Sequence, residues 1–131
     1  TKLFLQKHYY ISSYFMDEFD IPIFKKTYEL YKTLYSYRTT VAKQDRYTVW
    51  QRCETVTLDI VGHLLAASQS VKSEKLPSLE KTSVKLNLLR VLVRLSKEVK
   101  AIDAKKYIVL QERIDEIGKM LGGWIKATKS Y

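Results

Sequence analysis

Apolar residues recur at spacings of three and four along most of this chain, the period of helices buried on one side. Pro22 suits the first turn of a helix, and a helical pattern follows it to about Arg38. Phe24, Tyr28, Tyr31 and Tyr35 make one apolar stripe there, with Ile23, Leu30, Leu34 and Tyr37 on an adjoining face. Two apolar faces predict burial on more than one side. Thr39 to Asp45 reads as a turn. A second helix is predicted from about Asp45 to Ala67, its core stripe Val49, Cys53, Val56, Ile60 and Leu64, with Trp50 and Leu65 beside it. Ser68 to Ser78, rich in serine and lysine and holding Pro77, reads as a loop. A third helix should follow Pro77 and end near Ile102, with Val84, Leu88, Leu92, Leu95, Val99 and Ile102 as its core. Asp103 is a suitable N-cap for a fourth, in which Tyr107, Leu110, Ile114, Ile117, Leu121 and Trp124 step regularly to about Lys126.

Four amphipathic helices with short links predict an all-α, antiparallel up-down four-helix bundle over residues 21–131. No strand alternation and no internal repeat is visible. Residues 1–20 are aromatic rich without a clear period and are set apart as an N-terminal extension; Met16 stands where a coding start would fit.

Composition narrows the function classes. The single Cys53 cannot close an internal disulfide, which suits a reducing compartment. The most apolar run, from Leu88, is cut by Arg90 and Arg94 and falls short of the roughly 20 apolar residues of a membrane span. The first residues lack the features of a secretory signal. A cytoplasmic protein with no membrane partner is the expectation. The formal charge is +9, and it is uneven: residues 1–68 hold nine Lys/Arg against seven Asp/Glu, residues 69–131 fourteen against seven. That asymmetry fits an anionic partner, nucleic acid first, while solubility alone is the plainer account.

Three of the four glycines fall in IDEIGKMLGGWIK, inside the fourth helical pattern, although each weakens a helix interior by about 1 kcal/mol relative to alanine. Gly118 and Gly122 share a face, with Gly123 beside them. The motif and preceding strand of a phosphate-binding loop are absent, so close packing of another backbone is the better reading, within one chain or between chains.

This stretch resembles the C-terminal signature of the accessory variability determinant (Avd) proteins of diversity-generating retroelements. LLRVLVRL, with arginines four apart, is similar to that family too, and RYTVWQRCETVTLDIV agrees more loosely through Arg46, Arg52 and Cys53. The likeness runs from about Ile21 to Thr128; its broader relatives are the bundle proteins encoded in ribosomal RNA intervening sequences. It implies a homopentameric ring of bundles with a basic surface. It also implies a non-catalytic accessory that binds the retroelement's reverse transcriptase together with template RNA, and possibly DNA, during mutagenic reverse transcription. A bundle serving only protein contacts, as in the intervening-sequence relatives, is the alternative.

Candidate binding residues follow. Arg90, Arg94 and Lys97 form a polar line on the third helix, where the arginine fork suits phosphate; a solvated face or salt bridges between subunits would explain them equally in kind. Arg46 and Arg52 are six apart and could flank one groove. Lys105 and Lys106 oppose the dipole of the fourth helix, which an anionic partner would relieve. Gly118, Gly122, Gly123 and Trp124 are assigned to helix packing or an oligomer interface, Trp124 reading as core before base-stacking surface. Asp59 and His63 are four apart but lack a second ligand pair, so no metal is expected. Glu112, Asp115 and Glu116 read as surface. No nucleophile, base and orienter form a set, so neither catalysis nor a cofactor is expected.

Overall fold

The computed structural model describes residues 21–130, and the N-terminal extension lies outside them. Four long helices carry the fold: α1, Pro22–Tyr37; α2, Val49–Gln69; α3, Lys72–Glu98; and α4, Ala104–Lys129. Each packs chiefly against two others, α1 on α2, α2 on α3, α3 on α4 and α4 on α1, closing an up-down four-helix bundle. No strand occurs among the described residues.

The second and fourth helices bury the predicted stripes. Cys53, Val56, Ile60 and Leu64 are buried on α2, as are Leu110, Ile114, Ile117 and Leu121 on α4, with Val49, Tyr107 and Trp124 half-buried. Burial pushes the Cys53 thiol up to about 12, against a contact with the Ser96 hydroxyl at 3.8 Å that favours the thiolate, so the thiol stays protonated. The Asp103 carboxylate accepts from the Lys106 backbone N–H at 2.8 Å, as its N-cap role requires.

On α3 the core stripe differs from the expected one. Its buried residues are Leu79, Thr82, Leu86, Leu89, Val93 and Ser96, a continuous three-and-four repeat. Val84, Leu95 and Val99 face outward instead, Leu88 and Leu92 are half-buried, and Ile102 alone of the terminal pair is buried. Thr82 and Ser96 hide the true stripe because they look polar in sequence. Inside the helix their hydroxyls donate to the Ser78 and Leu92 carbonyls, at 2.9 and 2.8 Å, and burial leaves nothing unpaired. On α1 the correction is similar. Ile23, Phe24, Thr27, Leu30 and Leu34 are buried, whereas Tyr28 and Tyr35 stay exposed.

The predicted loop around Pro77 is helix. Only Ser70 and Val71 separate α2 from α3, and Pro77 lies inside α3. The first turn closes without it: the Glu74 and Lys75 N–H groups donate to the Val71 carbonyl at 3.0 and 3.1 Å. Pro77 removes one internal bond, and the packed length of α3 carries the helix across the gap. Conversely, α2 begins four residues later than expected. Thr48, at φ −117° and ψ −102°, breaks the helical path and leaves Lys43–Arg46 as a separate single turn. The α1–α2 connection folds over the bundle end, burying Val41 and letting Trp50 Nε1 donate to the Leu34 carbonyl at 3.1 Å.

Candidate anion-binding end of the bundle

The up-down order brings the C-terminus of α1, the N-terminus of α2, the C-terminus of α3 and the N-terminus of α4 to one end. Arg46, Arg52, Arg94, Lys97, Lys105 and Lys106, chosen from three separate stretches of sequence, all collect there. Residues 37–52 and 94–107, which build this end, hold nine Lys/Arg against three Asp/Glu. The opposite end (21–28, 63–81 and 119–130) holds eight against two, all eight lysines. The waist between them holds four against six. Charge is therefore sorted by height, and only the first end contributes arginines, whose planar fork matches phosphate.

Lys97, Lys100, Lys106 and Thr40, with Ala101 to Ala104, line an open depression of about 520 Å³ at this end. Lys100 sits in the α3–α4 turn at φ 66°, a left-handed conformation that glycine usually supplies. The Ala101 N–H donates back to the Ser96 carbonyl at 2.8 Å and closes that turn. Around the rim the cations differ in commitment. The side chains of Lys43, Arg52, Lys100 and Lys105 hold no ion pair, hydrogen bond or ring contact with any described residue. Arg94 Nε donates to Glu98 at 3.1 Å on an exposed face, a pair that water screens strongly. Arg46 serves as a brace: its Nη2 donates to the Val41 carbonyl at 3.1 Å and reaches the Thr39 carbonyl at 3.5 Å.

Three tyrosines thread these cations. Lys97 Nζ lies 4.7 Å from the Tyr107 ring centre, Lys106 Nζ 5.5 Å from that of Tyr37, and the Arg38 guanidinium 5.3 Å from that of Tyr47. Arg38, Lys43, Lys100 and Tyr47 were not singled out from sequence, and Tyr37 and Tyr107 were read there as apolar helix-face positions. Their periodicity marks only helix ends, and the turns must close before they meet. Arg38 also stands 3.9 Å from Glu54, a buried carboxylate whose Oε2 has no hydrogen-bond partner among the described residues.

Arg90 stands apart from the basic end. It pairs with Asp115 across the α3–α4 seam, and a Cβ built on Gly118 would come within 2.7 Å of its Nη2. Gly118 thus makes room for an arginine inside the chain. Gly122 and Gly123 do not: a Cβ on either meets nothing within 4 Å. Trp124 is half-buried against the core. Asp59 is engaged by Lys85 at 3.3 Å, and no cluster of three metal-ligating side chains occurs among the described residues. Glu116 pairs with Lys26 at 3.2 Å, so two of the three acidic residues on α4, Asp115 and Glu116, serve helix contacts with α3 and α1.

No described helix is long and apolar enough to cross a membrane. No curated protein matches the chain. The family model described as bAvd-like matches residues 22–128, from the first turn of α1 to the last turn of α4, and the chain belongs to that family.

Proposed function

We propose that this protein is a non-catalytic accessory of a diversity-generating retroelement that binds template RNA or its complementary DNA through the basic end of the bundle. The reading extends to a contact with the retroelement's reverse transcriptase. One observation carries it: cations from four helix termini converge on one end, arginines among them, and four of these cations have no partner among the described residues. Membership of the bAvd-like family supports the setting. A buried or paired cation is spent on the fold, whereas an unpaired rim of them is placed to neutralise phosphates and release counterions.

Assembly into a ring belongs to the same reading, and the outward face of α3 supports it. Val84, Val91, Leu95 and Val99 are 68%, 62%, 42% and 48% exposed and lie at helical spacing with half-buried Leu88. Fully burying such a side chain is worth about 1.5–3 kcal/mol, so this face forgoes several kcal/mol in an isolated chain. A groove lined by Ser83, Asn87, Gly118 and Gly122 adjoins it. Gly122, which lines this groove and has no neighbour within 4 Å of a built Cβ, is accounted for if a second copy's helix packs close there.

Lys100 gives a test that separates function from folding. Lys100→Gly relieves the left-handed backbone, so thermal stability should be equal or higher by up to about 1 kcal/mol. RNA affinity at low salt should nonetheless fall several-fold, with a shallower salt dependence. Unchanged RNA binding with the stability gain would count against this end as the phosphate surface.

A further inference from the structure

The cations and tyrosines at the basic end do not form three isolated pairs. Lys106 and Tyr107 are sequence neighbours, as are Tyr37 and Arg38. Through these backbone links the three contacts, Lys97 on Tyr107, Lys106 on Tyr37 and Arg38 on Tyr47, follow one another across the bundle end, cation and ring alternating. Tyr107 and Tyr37 are half-buried, but Tyr47, where the series ends, is 59% exposed. Its ring is held from one side by the Arg38 guanidinium. The backbone beneath it is braced by Arg46 and by the Thr48 N–H donating to the Asp45 carbonyl at 3.3 Å. An aromatic ring held by a cation and left open to water has no role in the core, and Lys43 and Arg52, which flank it in sequence, hold no partner among the described residues.

We propose that Tyr47 is a base-stacking platform and that the basic end selects single-stranded nucleic acid over duplex. The inference rests on the phosphate-binding reading of this end and adds the class of ligand. Every base has a face on which an aromatic ring stacks, and in a duplex those faces are covered by neighbouring pairs. Cations alternating with rings follow a chain in which phosphates alternate with bases. Stacking reads a surface common to RNA and DNA, so the platform accepts either. Ring orientation fixed by Arg38 lowers the ordering cost of binding.

The test compares the full chain with Tyr47→Ala and Tyr47→Phe, titrated against a fluorescein-labelled 20-nucleotide oligouridine and a 20-base-pair RNA duplex over a range of salt. Wild type should bind the single strand more tightly than the duplex. Tyr47→Ala should lose roughly tenfold on the single strand, within the range for one stacked base. Its duplex affinity and the salt slope should hold, because no phosphate contact is removed, and Tyr47→Phe should retain wild-type binding. The ring is exposed, so both variants are expected to fold, and circular dichroism checks this. Single-strand binding by Tyr47→Ala equal to wild type, or a wild-type preference for duplex, would overturn the stacking role while leaving the phosphate surface in place. Absence of salt-dependent binding to either probe would overturn both readings and favour a protein partner.

Discussion

Glu54 enters the core beside a cation that stands too far away to bond it. Its Oε1 lies 3.9 Å from Arg38 Nε, and its Oε2 is unpartnered among the described residues. Burial raises its pKa above the ordinary carboxylate value, and the Arg38 charge opposes that only in part. The sign follows from linkage. A carboxyl whose folded pKa is raised binds its proton more tightly in the folded state, so the group destabilises the fold once pH exceeds the folded value. Glu54→Gln should therefore melt higher than wild type at pH 7 to 8. The difference should shrink as pH falls through the raised pKa and vanish only well below the ordinary glutamate value, where wild type is protonated in both states. A difference constant across pH would mean that shape, not charge, governs the site. Arg38 stands between the two, 3.9 Å from the Glu54 carboxylate and 5.3 Å from the Tyr47 ring centre.

At the scale of the element, the helices divide by how honestly their apolar residues report the core. On α4 the buried stripe is wholly apolar, and on α2 the buried Glu54 and Thr57 lie beside an unbroken apolar run of Cys53, Val56, Ile60 and Leu64, so spacing alone found both. On α3 two repeats overlap. The outward one, with Val84, Leu88, Val91, Leu95 and Val99, is more apolar than the inward one, which includes Thr82 and Ser96. Periodicity cannot say which of two stripes meets the rest of the chain, and the stripe it gave, with Val84, Leu88, Leu92, Leu95 and Val99, leans toward the greasier outward side. The exposed tyrosines of α1 misled for the same reason. Pro77 misled differently, because a proline's local preference yields to tertiary packing when the helix continues well beyond it. The misreading of α3 is itself informative: an apolar repeat whose Val84, Val91, Leu95 and Val99 stay exposed among the described residues is a surface suited to a contact beyond them. Val91→Glu and Leu95→Glu should leave monomer stability within about 0.5 kcal/mol, since both positions are exposed. They should convert an oligomer to monomer in light scattering. An unaltered oligomer mass would exclude this face from the assembly.

At the scale of the whole molecule, the sequence shows that the chain is basic but not where the charge goes. Six of the seven cations selected from local pattern share one end, and that follows from antiparallel topology. Arg90, taken with Arg94 and Lys97 as one polar line, leaves the group because α4 places Asp115 opposite it. Lys100 escaped notice because its strain appears only once the turn is closed. Both ends are basic and the waist is acidic, so net charge alone would draw nucleic acid to either end. Lysines without a side-chain partner among the described residues occur at both ends, so the distinction rests on the arginines and on the rings beside the cations.

The measurement that tests this most directly is the salt slope of RNA binding for two variants of equal net charge. One is Arg52→Gln/Lys100→Gln/Lys105→Gln at the proposed end; the other is Lys81→Gln/Lys126→Gln/Lys129→Gln at the opposite end. The first should flatten the slope of log affinity against log salt by about two units, three phosphate contacts at about 0.7 each. The second should bind with a slope close to wild type. Equal slopes in both variants, or flattening confined to the second, would contradict the assignment of nucleic acid to the arginine-bearing end.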